Sequence, residues 1–210
     1  MIPTAINATG STAANNSNGS PASVTLATNS SVDLTIDFGY RASVTCGSLI
    51  TYTMGGWGAS PSGNNAGTFL ASNFARVYPN GLRVGGGFTI TCTTAKGIEN
   101  FLPCGGTPAR LYQNYVNPTT AIGALAGQVV ALRLAVDFSN AGVTPSGLAN
   151  ARLLSGKAAG LTVGQVLSLA EAFLGGAPLP TGISCSDVND VCASINENYD
   201  GGTNLGRLSP

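Results

Sequence analysis

Carboxylates are the side chains of this chain that can serve as acids or bases, because its 210 residues include no histidine. There are nine of them: Asp33, Asp37, Glu99, Asp137, Glu171, Asp187, Asp190, Glu197 and Asp200. Glycoside hydrolysis needs two carboxyl groups that face each other several ångströms apart, and no spacing in the sequence marks such a pair. Without histidine, a serine or cysteine nucleophile lacks its usual base and a transition metal lacks its commonest ligand. The sequence therefore predicts no enzyme, no catalytic residue and no cofactor.

Oxygen ligands of the kind that calcium prefers occur in two segments, Asp187 to Asp190 and Asp200 to Asn204. Neither segment has the full spacing of a calcium-binding loop. Asp187 and Asp190 also suit the first turn of a helix, where negative charge stabilises the helix dipole. We therefore interpret these carboxylates as helix caps and predict no metal site.

Five cysteines are candidates for disulfide bonds: Cys46, Cys92, Cys104, Cys185 and Cys192. None belongs to a CxxC pair, so a zinc site is not expected. In an oxidising compartment, five cysteines leave two disulfides and one thiol. Cys185 and Cys192 lie on one predicted helix, where about 10 Å would separate their Cα atoms, beyond disulfide reach. We expect pairs across elements, with Cys92 and Cys104 as one candidate pair and Cys46 as a candidate for an intermolecular bond. The sequence leaves the connectivity open.

The charge balance favours a protein that associates with copies of itself. Only 9% of the residues are charged, and nine basic side chains offset nine acidic ones. Nucleic acids and anionic membranes attract clustered positive charge, so neither is expected as a partner, whereas a net charge of zero promotes association. No apolar run approaches the roughly 20 residues that span a bilayer. The abundance of glycine, serine, threonine and asparagine is common in secreted proteins, so the expected location is extracellular or at the cell surface.

The first element of the chain is an alternating stretch from Val24 to Cys46. Its even positions supply an apolar row whose members are candidates for contact with another subunit: Val24, Leu26, Val32, Leu34, Ile36, Phe38 and Tyr40. Strand side chains alternate between two faces, so this row lies on one face and the polar residues on the other. One unbroken strand of this length would span roughly 75 Å, far more than an ordinary strand. The stretch is therefore either a hairpin bent near Asn29–Ser31 or an arm that pairs outside its own core.

The first half of the remaining chain shows mainly strand signals. We expect strands at Gly47–Thr53, Leu82–Val84 and Phe88–Thr93, and a helix at Ala66–Val77. Thr94 is expected to cap a short helix that ends at Phe101. Between these elements lies a glycine-rich loop that we expect the single tryptophan, Trp57, to anchor to the core.

The second half shows helix signals. Apolar residues at spacings of three and four from Ile122 to Val136 predict one helix, and a capping box of Thr162 and Gln165 predicts the next. A last helix is expected to begin near Ser186. The predicted fold class is α+β, with a β-rich N-terminal half, an extended strand-forming arm and a helical C-terminal half. The predicted domains are a flexible or extended tail at 1–21, an arm or hairpin that is a possible donor strand at 22–46, and a compact α+β domain at 47–210.

A series of motifs between residues 51 and 202 resembles an uncharacterised domain of secreted bacterial surface proteins. The first motifs are Gly55-Gly56-Trp57-Gly58, Gly63-Asn64, Phe69-Leu70, Phe74 and Pro79-x-Gly81-Leu82. The later ones include Gly127-Gln128-Val129, Asp137-Phe138-Ser139, Leu174-Gly175-Gly176 and Ile195-Asn196-Glu197-Asn198. Met54 stands where the pattern often has a glutamine, and Cys104 is an addition to it. The resemblance implies an extracellular, surface-associated module and brings no assigned activity or catalytic residue.

The leading hypothesis is a structural subunit of an extracellular filament or matrix that assembles with other copies of itself. Strand donation would use main-chain hydrogen bonds for affinity and the apolar row for specificity, with Val32, Leu34, Ile36 and Phe38 inserted into a neighbour. The alternative is an adhesin-like binding module that recognises a glycan or surface partner through Trp57 and Tyr52. This alternative predicts a monomer in which residues 24–46 fold back as a hairpin.

Overall fold

The computed structural model describes residues 49–209 together with the backbone of Ile2–Pro3 and Tyr40–Arg41. The chain divides into two compact units, Met1–Ser43 and Val44–Pro210. In the first unit, strand β1 (Ile2–Pro3) pairs antiparallel with β2 (Tyr40–Arg41), which places Pro3 opposite Tyr40. The domain boundaries that we predicted at residues 21 and 46 fall outside the described residues and stay predictions.

The second unit is mainly helical. Its α-helices are α1 (Met54–Trp57), α2 (Ala66–Val77), α3 (Ala95–Phe101), α4 (Ala124–Asn140), α5 (Val163–Leu174) and α6 (Cys185–Asn198), with a 3-10 helix at Leu148–Asn150. Its strands are β3 (Leu82–Gly85), β4 (Thr89–Cys92), β5 (Tyr115–Val116), β6 (Arg152–Leu153) and β7 (Leu208–Ser209).

Helix α4 lies at the centre of the core because apolar residues surround it. Val129, Leu132 and Phe138 are fully buried, and the helix contacts α1, α5, α6 and β3. A Cβ atom at Gly127 would lie closer than 3 Å to Met54 Sδ and to the Cβ of Cys104, so glycine permits this approach. Each fully buried leucine or valine contributes about 1.5–3 kcal/mol of transfer free energy. The second unit therefore has a hydrophobic core of its own.

The sheets of the second unit are small. Strand β4 lies between β3, to which it is antiparallel, and β5, to which it is parallel, so β3 and β5 form the two edges. Strands β6 and β7 form a separate antiparallel pair. On β3, Leu82 and Val84 are each 1% exposed while Arg83 between them is exposed. This strand therefore has one face toward the core and one toward solvent.

Local sequence signals predicted several of these elements correctly. Helix α2 has the predicted bounds and the Asn65 side chain accepts from the Thr68 N–H at its start. Thr94 caps α3, and Thr162 forms the predicted capping box with Gln165 at the start of α5. Strands β3 and β4 also lie where they were expected. Each of these signals acts within a few residues of chain, so packing did not override it.

The predicted fold class is wrong in its β-rich N-terminal half. Helices account for 43% of the described residues and strands for only 11%. The strand expected at Gly47–Thr53 contributes one bridge, between Thr51 and Asp200, and its first two residues lie outside the described part of the chain. The glycine-rich loop that follows contains helix α1, because the Thr53 side chain accepts from the Gly56 N–H and burial of Trp57 holds the turn in place. Short alternating segments resemble strands in sequence, but strands also require partners.

Candidate functional site

The predicted subunit contacts at Val24, Leu26, Val32, Leu34, Ile36 and Phe38 lie outside the described residues. Tyr40, the last of this set, is described by its backbone and belongs to β2. Its partner is Pro3 of β1, a pairing within the chain that neither predicted arrangement named. No sequence signal marks this pairing, because both strands contain only two residues.

The outer edge of β3 carries main-chain groups that β4 does not use. The Gly86 N–H donates to the Phe88 carbonyl at 3.1 Å. The neighbouring opposed residues, Gly85 and Thr89, therefore form a non-hydrogen-bonded pair. Pairs alternate along an antiparallel ladder. Val84 therefore exchanges hydrogen bonds with Ile90, whereas the N–H and C=O of Arg83 point away from β4. Strand addition uses main-chain groups in this position.

A groove of about 530 Å³ runs along this part of β3. It is lined by Leu82 and Arg83 of β3, by Tyr78 after α2, and by Asp137 and Asn140 of α4. Since Leu82 and Arg83 direct their side chains to opposite faces of the sheet, a groove that both residues line passes the edge of β3. We call it the β3 groove below.

An arginine in the wall of the β3 groove neutralises two carboxylates. Arg133 Nε donates to Asp137 Oδ2 at 2.7 Å, and Nη1 donates to both oxygens of Glu171 at 3.0 Å. Burial raises the pKa of Glu171, an effect that Arg133 opposes. Burial, followed by the charge of Asp137, also raises the pKa of the Tyr78 hydroxyl. Arg133 therefore links a carboxylate of α4 to one of α5.

Arg83 is the basic residue of the β3 groove that has no ion-pair or hydrogen-bond partner among the described residues. Its side chain is exposed and makes no hydrogen bond or ion pair with any other described residue. Sequence reasoning placed Arg83 in a strand and missed its importance. The available signal was a single charged residue between two apolar ones, Leu82 and Val84, which marks the solvent face of an edge strand.

A second pocket, of about 220 Å³, lies between α5 and α6 and is mainly apolar. An ion pair between Lys157 Nζ and Asp187 Oδ2, at 2.8 Å, lies at this pocket. Asp187 also accepts from the Ser184 N–H at 2.8 Å and completes a capping box for α6. The Lys157 hydrogen bond, followed by those from Ser184, lowers the pKa of Asp187 to about 2.

The interpretation of Asp187 as a helix cap is therefore confirmed. Asp190, the other carboxylate of this segment, lies one turn along in the same helix. Among the described residues, no group of three or more histidine, cysteine, aspartate or glutamate side chains is arranged to hold a metal ion.

Trp57 is a core residue, which confirms the prediction that it anchors the glycine-rich loop to the core. It is 1% exposed, and its ring meets Tyr52 and Phe138 edge-on, with centroids 4.9 and 5.4 Å away. A stacking platform for a sugar needs an open ring face, which Trp57 does not present. The aromatic contact that we predicted for the adhesin-like alternative is therefore unavailable at this residue.

The described cysteines carry free thiols: Cys92, Cys104, Cys185 and Cys192. The candidate pair Cys92 and Cys104 is not joined. The Cys104 Sγ lies 3.3 Å from the Gly123 carbonyl, to which it donates, and accepts from the Ile122 N–H at 3.3 Å. Burial raises the pKa of Cys92 and of Cys192 to about 12. Cys46, the candidate for an intermolecular bond, lies outside the described residues.

Exposed apolar side chains mark the opposite edge of the three-stranded sheet. Val116 of β5 is 67% exposed and Tyr112 is 74% exposed. The Tyr112 ring packs edge-on against Tyr115 with centroids 6.0 Å apart. Sequence reasoning did not single out these residues, because two-residue strands have no period to detect.

Two further findings concern the length of the helices and the similarity of the chain to known proteins. In the part of the chain that the structure describes, no helix combines the length and the hydrophobicity that crossing a membrane requires. Comparisons with protein-family models, with curated proteins and with solved structures returned no match to this chain.

Proposed function

We propose that the protein is a structural subunit of an extracellular filament or matrix, and that its copies join by strand donation. The apolar row of residues 24–46 in one copy would add to an open sheet edge in the next. The observation that carries the proposal is a second unit with a core of its own in which the outward main-chain groups of Arg83, on the edge strand β3, have no partner among the described residues. Open edges of this kind pair readily with another chain.

The geometry of such a contact leads to a filament. The donor segment and the acceptor edge are different surfaces, so the contact is heterologous and repeats from copy to copy without closing. Phe38 and Leu49 are eleven positions apart, a stretch of chain that spans at most about 40 Å when extended. The zero net charge removes the long-range repulsion that would oppose close packing of copies.

The extracellular setting is part of the same proposal. The composition, rich in uncharged polar residues, and the motifs that resemble a secreted surface domain support it. The adhesin-like alternative has less support, because burial of Trp57 removes its main aromatic contact.

A pair of matched substitutions in the full chain tests the proposal. Ile36→Asp places a charge in the apolar row, whereas Thr25→Asp adds the same charge to the polar row. We expect Ile36→Asp to abolish polymers in sedimentation and electron microscopy, because an unpaired charge is costly to bury, and Thr25→Asp to leave them.

Deletion of residues 1–46 supplies the second arm of the test. Polymers of unchanged form after this deletion, or equal effects of the two substitutions, would overturn strand donation. A parent protein that sediments as a monomer at all concentrations would instead favour the adhesin-like alternative.

A further inference from the structure

We propose that the acceptor is the outer edge of β3, where residues 32–38 of a neighbouring copy add as a further strand with Asp33 and Asp37 beside Arg83. This inference rests on the proposed function, because it names the surface that receives the donated strand. It also sets the alignment of the two strands, with Thr35 opposite Arg83.

The main chain of β3 is ready to accept a strand at this position. The N–H and C=O of Arg83 point away from β4, as the pattern of hydrogen bonds at Gly86 and Phe88 shows. None of the hydrogen bonds among the described residues engages these outward groups. Thr35 of the donor would exchange two hydrogen bonds with them.

The faces of the two strands match when an odd-numbered donor residue lies opposite Arg83, and with Thr35 in that position the two aspartates flank it. Leu82 and Val84 direct their side chains to the core, and Arg83 directs its side chain to solvent. With Thr35 opposite Arg83, the apolar row of the donor, including Leu34 and Ile36, continues the core face. A shift by one residue would place the apolar row in solvent and the aspartates against the core.

The β3 groove offers space and apolar surface for the inserted row. Its volume is about 530 Å³, and Val77, Tyr78 and Leu82 supply apolar side chains to its lining. Apart from Arg83 itself, the charged and amide residues of the lining, Arg133, Asp137 and Asn140, lie on α4. A strand that follows β3 would therefore meet apolar side chains next to the strand edge.

Charge complementarity points to the same edge. Asp33 and Asp37 are the only charged side chains in residues 1–40, so the donor is acidic. Lys96, Arg133, Lys157 and Arg207 already pair with carboxylates. Arg76, Arg110 and Arg152 donate to carbonyls. Of the basic residues between positions 49 and 209, Arg83 is therefore the one whose side chain has no partner among the described residues.

The positions of the two aspartates suit a single arginine. Residues two before and two after the directly opposed residue lie diagonally across an antiparallel pair, about 7–8 Å away, within reach of a long side chain. Asp33 and Asp37 are the diagonal neighbours of Arg83 when Thr35 is opposite it. The other open edge of this sheet, β5, contains only Tyr115 and Val116 and carries no charged residue.

Charge exchange between copies tests the inference in the full chain. One variant carries Arg83→Glu, and the other carries Asp33→Arg with Asp37→Arg. Each alone places like charges opposite each other, so the concentration at which polymers sediment should rise about tenfold or more. An equimolar mixture should polymerise at the parent concentration, because the groove of each variant then meets an oppositely charged donor from the other variant.

Controls separate this contact from general charge effects and from misfolding. Arg110→Glu reverses another exposed arginine, and it should neither raise the polymerisation threshold nor rescue the donor variant on mixing. The near-ultraviolet signal of the buried Trp57 checks that Arg83→Glu folds. If that variant does not fold, Arg83→Gln removes the charge alone and should raise the threshold about threefold.

The outcomes distinguish the inference from the proposed function. Arg83→Glu chains that polymerise at the parent concentration, while Ile36→Asp chains do not, would overturn the β3 acceptor and leave strand donation standing. A mixture that stays unassembled, while a chain with all three substitutions polymerises, would place the charge contact within one chain and overturn the inference. A parent chain that never polymerises would overturn both.

Discussion

The β3 groove and the α5–α6 pocket both combine basic residues with carboxylates, but among the described residues only the β3 groove has a charged side chain without a partner. In the α5–α6 pocket, Lys157 and Asp187 bind each other, and Asp187 also binds the helix start through Ser184. In the β3 groove, Arg133 is engaged by Asp137 and Glu171, while Arg83 is not. The difference shows that internal partners can make a charged pocket structural, whereas an unengaged charge beside an open strand edge remains available to another molecule.

The largest expected effect is a loss of protein stability when the ion pairs in the β3 groove are broken. Arg133→Ala would leave Asp137 and Glu171, which are only 20% and 16% exposed, without their counter-charge. We expect the free energy of unfolding to fall by about 2–3 kcal/mol, because removal of the arginine leaves two largely buried carboxylates without a counter-charge. Urea unfolding followed by Trp57 fluorescence measures it. A loss below about 0.5 kcal/mol would show that the carboxylates are solvated and that the ion pairs of the β3 groove contribute no more than an exposed pair.

The two regions should respond to pH with opposite signs. The pKa of Asp187 is lowered to about 2, so the stability it contributes is present above its ordinary pKa of 3.8 and lost as the pH falls toward 2. Burial raises the pKa of Glu171 above 4.5, so its contribution is present below that pH and lost as the pH rises through the raised value.

Melting temperatures between pH 2 and 7 test these signs. The advantage of the parent over Asp187→Asn should shrink below about pH 4, whereas the stability of Glu171→Gln relative to the parent should increase as the pH rises above the ordinary glutamate pKa of 4.5. Parallel curves for the two variants would contradict the difference between the regions.

A smaller effect is expected from the exposed ion pair of the α5–α6 pocket. Lys157 is 56% exposed in its side chain, so solvent screens its attraction to Asp187. We expect Lys157→Ala to lower the free energy of unfolding by about 0.5 kcal/mol. The same urea titration measures it, with Arg152→Ala as a matched exposed control. A loss as large as that of Arg133→Ala would remove the energetic contrast between the two regions.

The smallest effect on stability is expected at Arg83. Arg83→Ala removes no described side-chain contact, so the free energy of unfolding should change by less than about 0.5 kcal/mol. The same variant should still raise the polymerisation threshold measured by sedimentation, because the donor loses its charge partner. A large loss of stability with no change in assembly would show that Arg83 serves the fold rather than a partner.

The predictions from sequence succeeded where the signal is local. Thr94 and Thr162 each cap a helix as predicted, through hydrogen bonds that span three residues. The predicted bounds of α2 and the position of β3 depend on such short-range preferences and on apolar spacing. Helix α4 begins at Ala124 rather than Ile122, within the ordinary variation of helix ends.

The predictions failed where an element needs a distant partner. Thr51 meets Asp200 across almost 150 residues, and a single bridge does not make a strand of its neighbours. Helix α1 contains two glycines, which disfavour helix by about 1 kcal/mol each, and it forms around the burial of Trp57. The predicted disulfide between Cys92 and Cys104 is absent. The Cys104 thiol instead hydrogen-bonds to the main chain of Ile122 and Gly123, which are distant in the sequence.

The sequence by itself determined which residues can cap, fill a core or carry charge, and it marked residues 24–46 as an apolar row and excluded histidine chemistry. Only the tertiary structure decided that Trp57 is buried and that β4 covers one side of β3. It also decided that Arg133, rather than Arg83, meets the carboxylates. The physical reason is that capping and side-chain alternation depend on neighbours in the chain, whereas strand edges and ion pairs depend on which distant segments pack together.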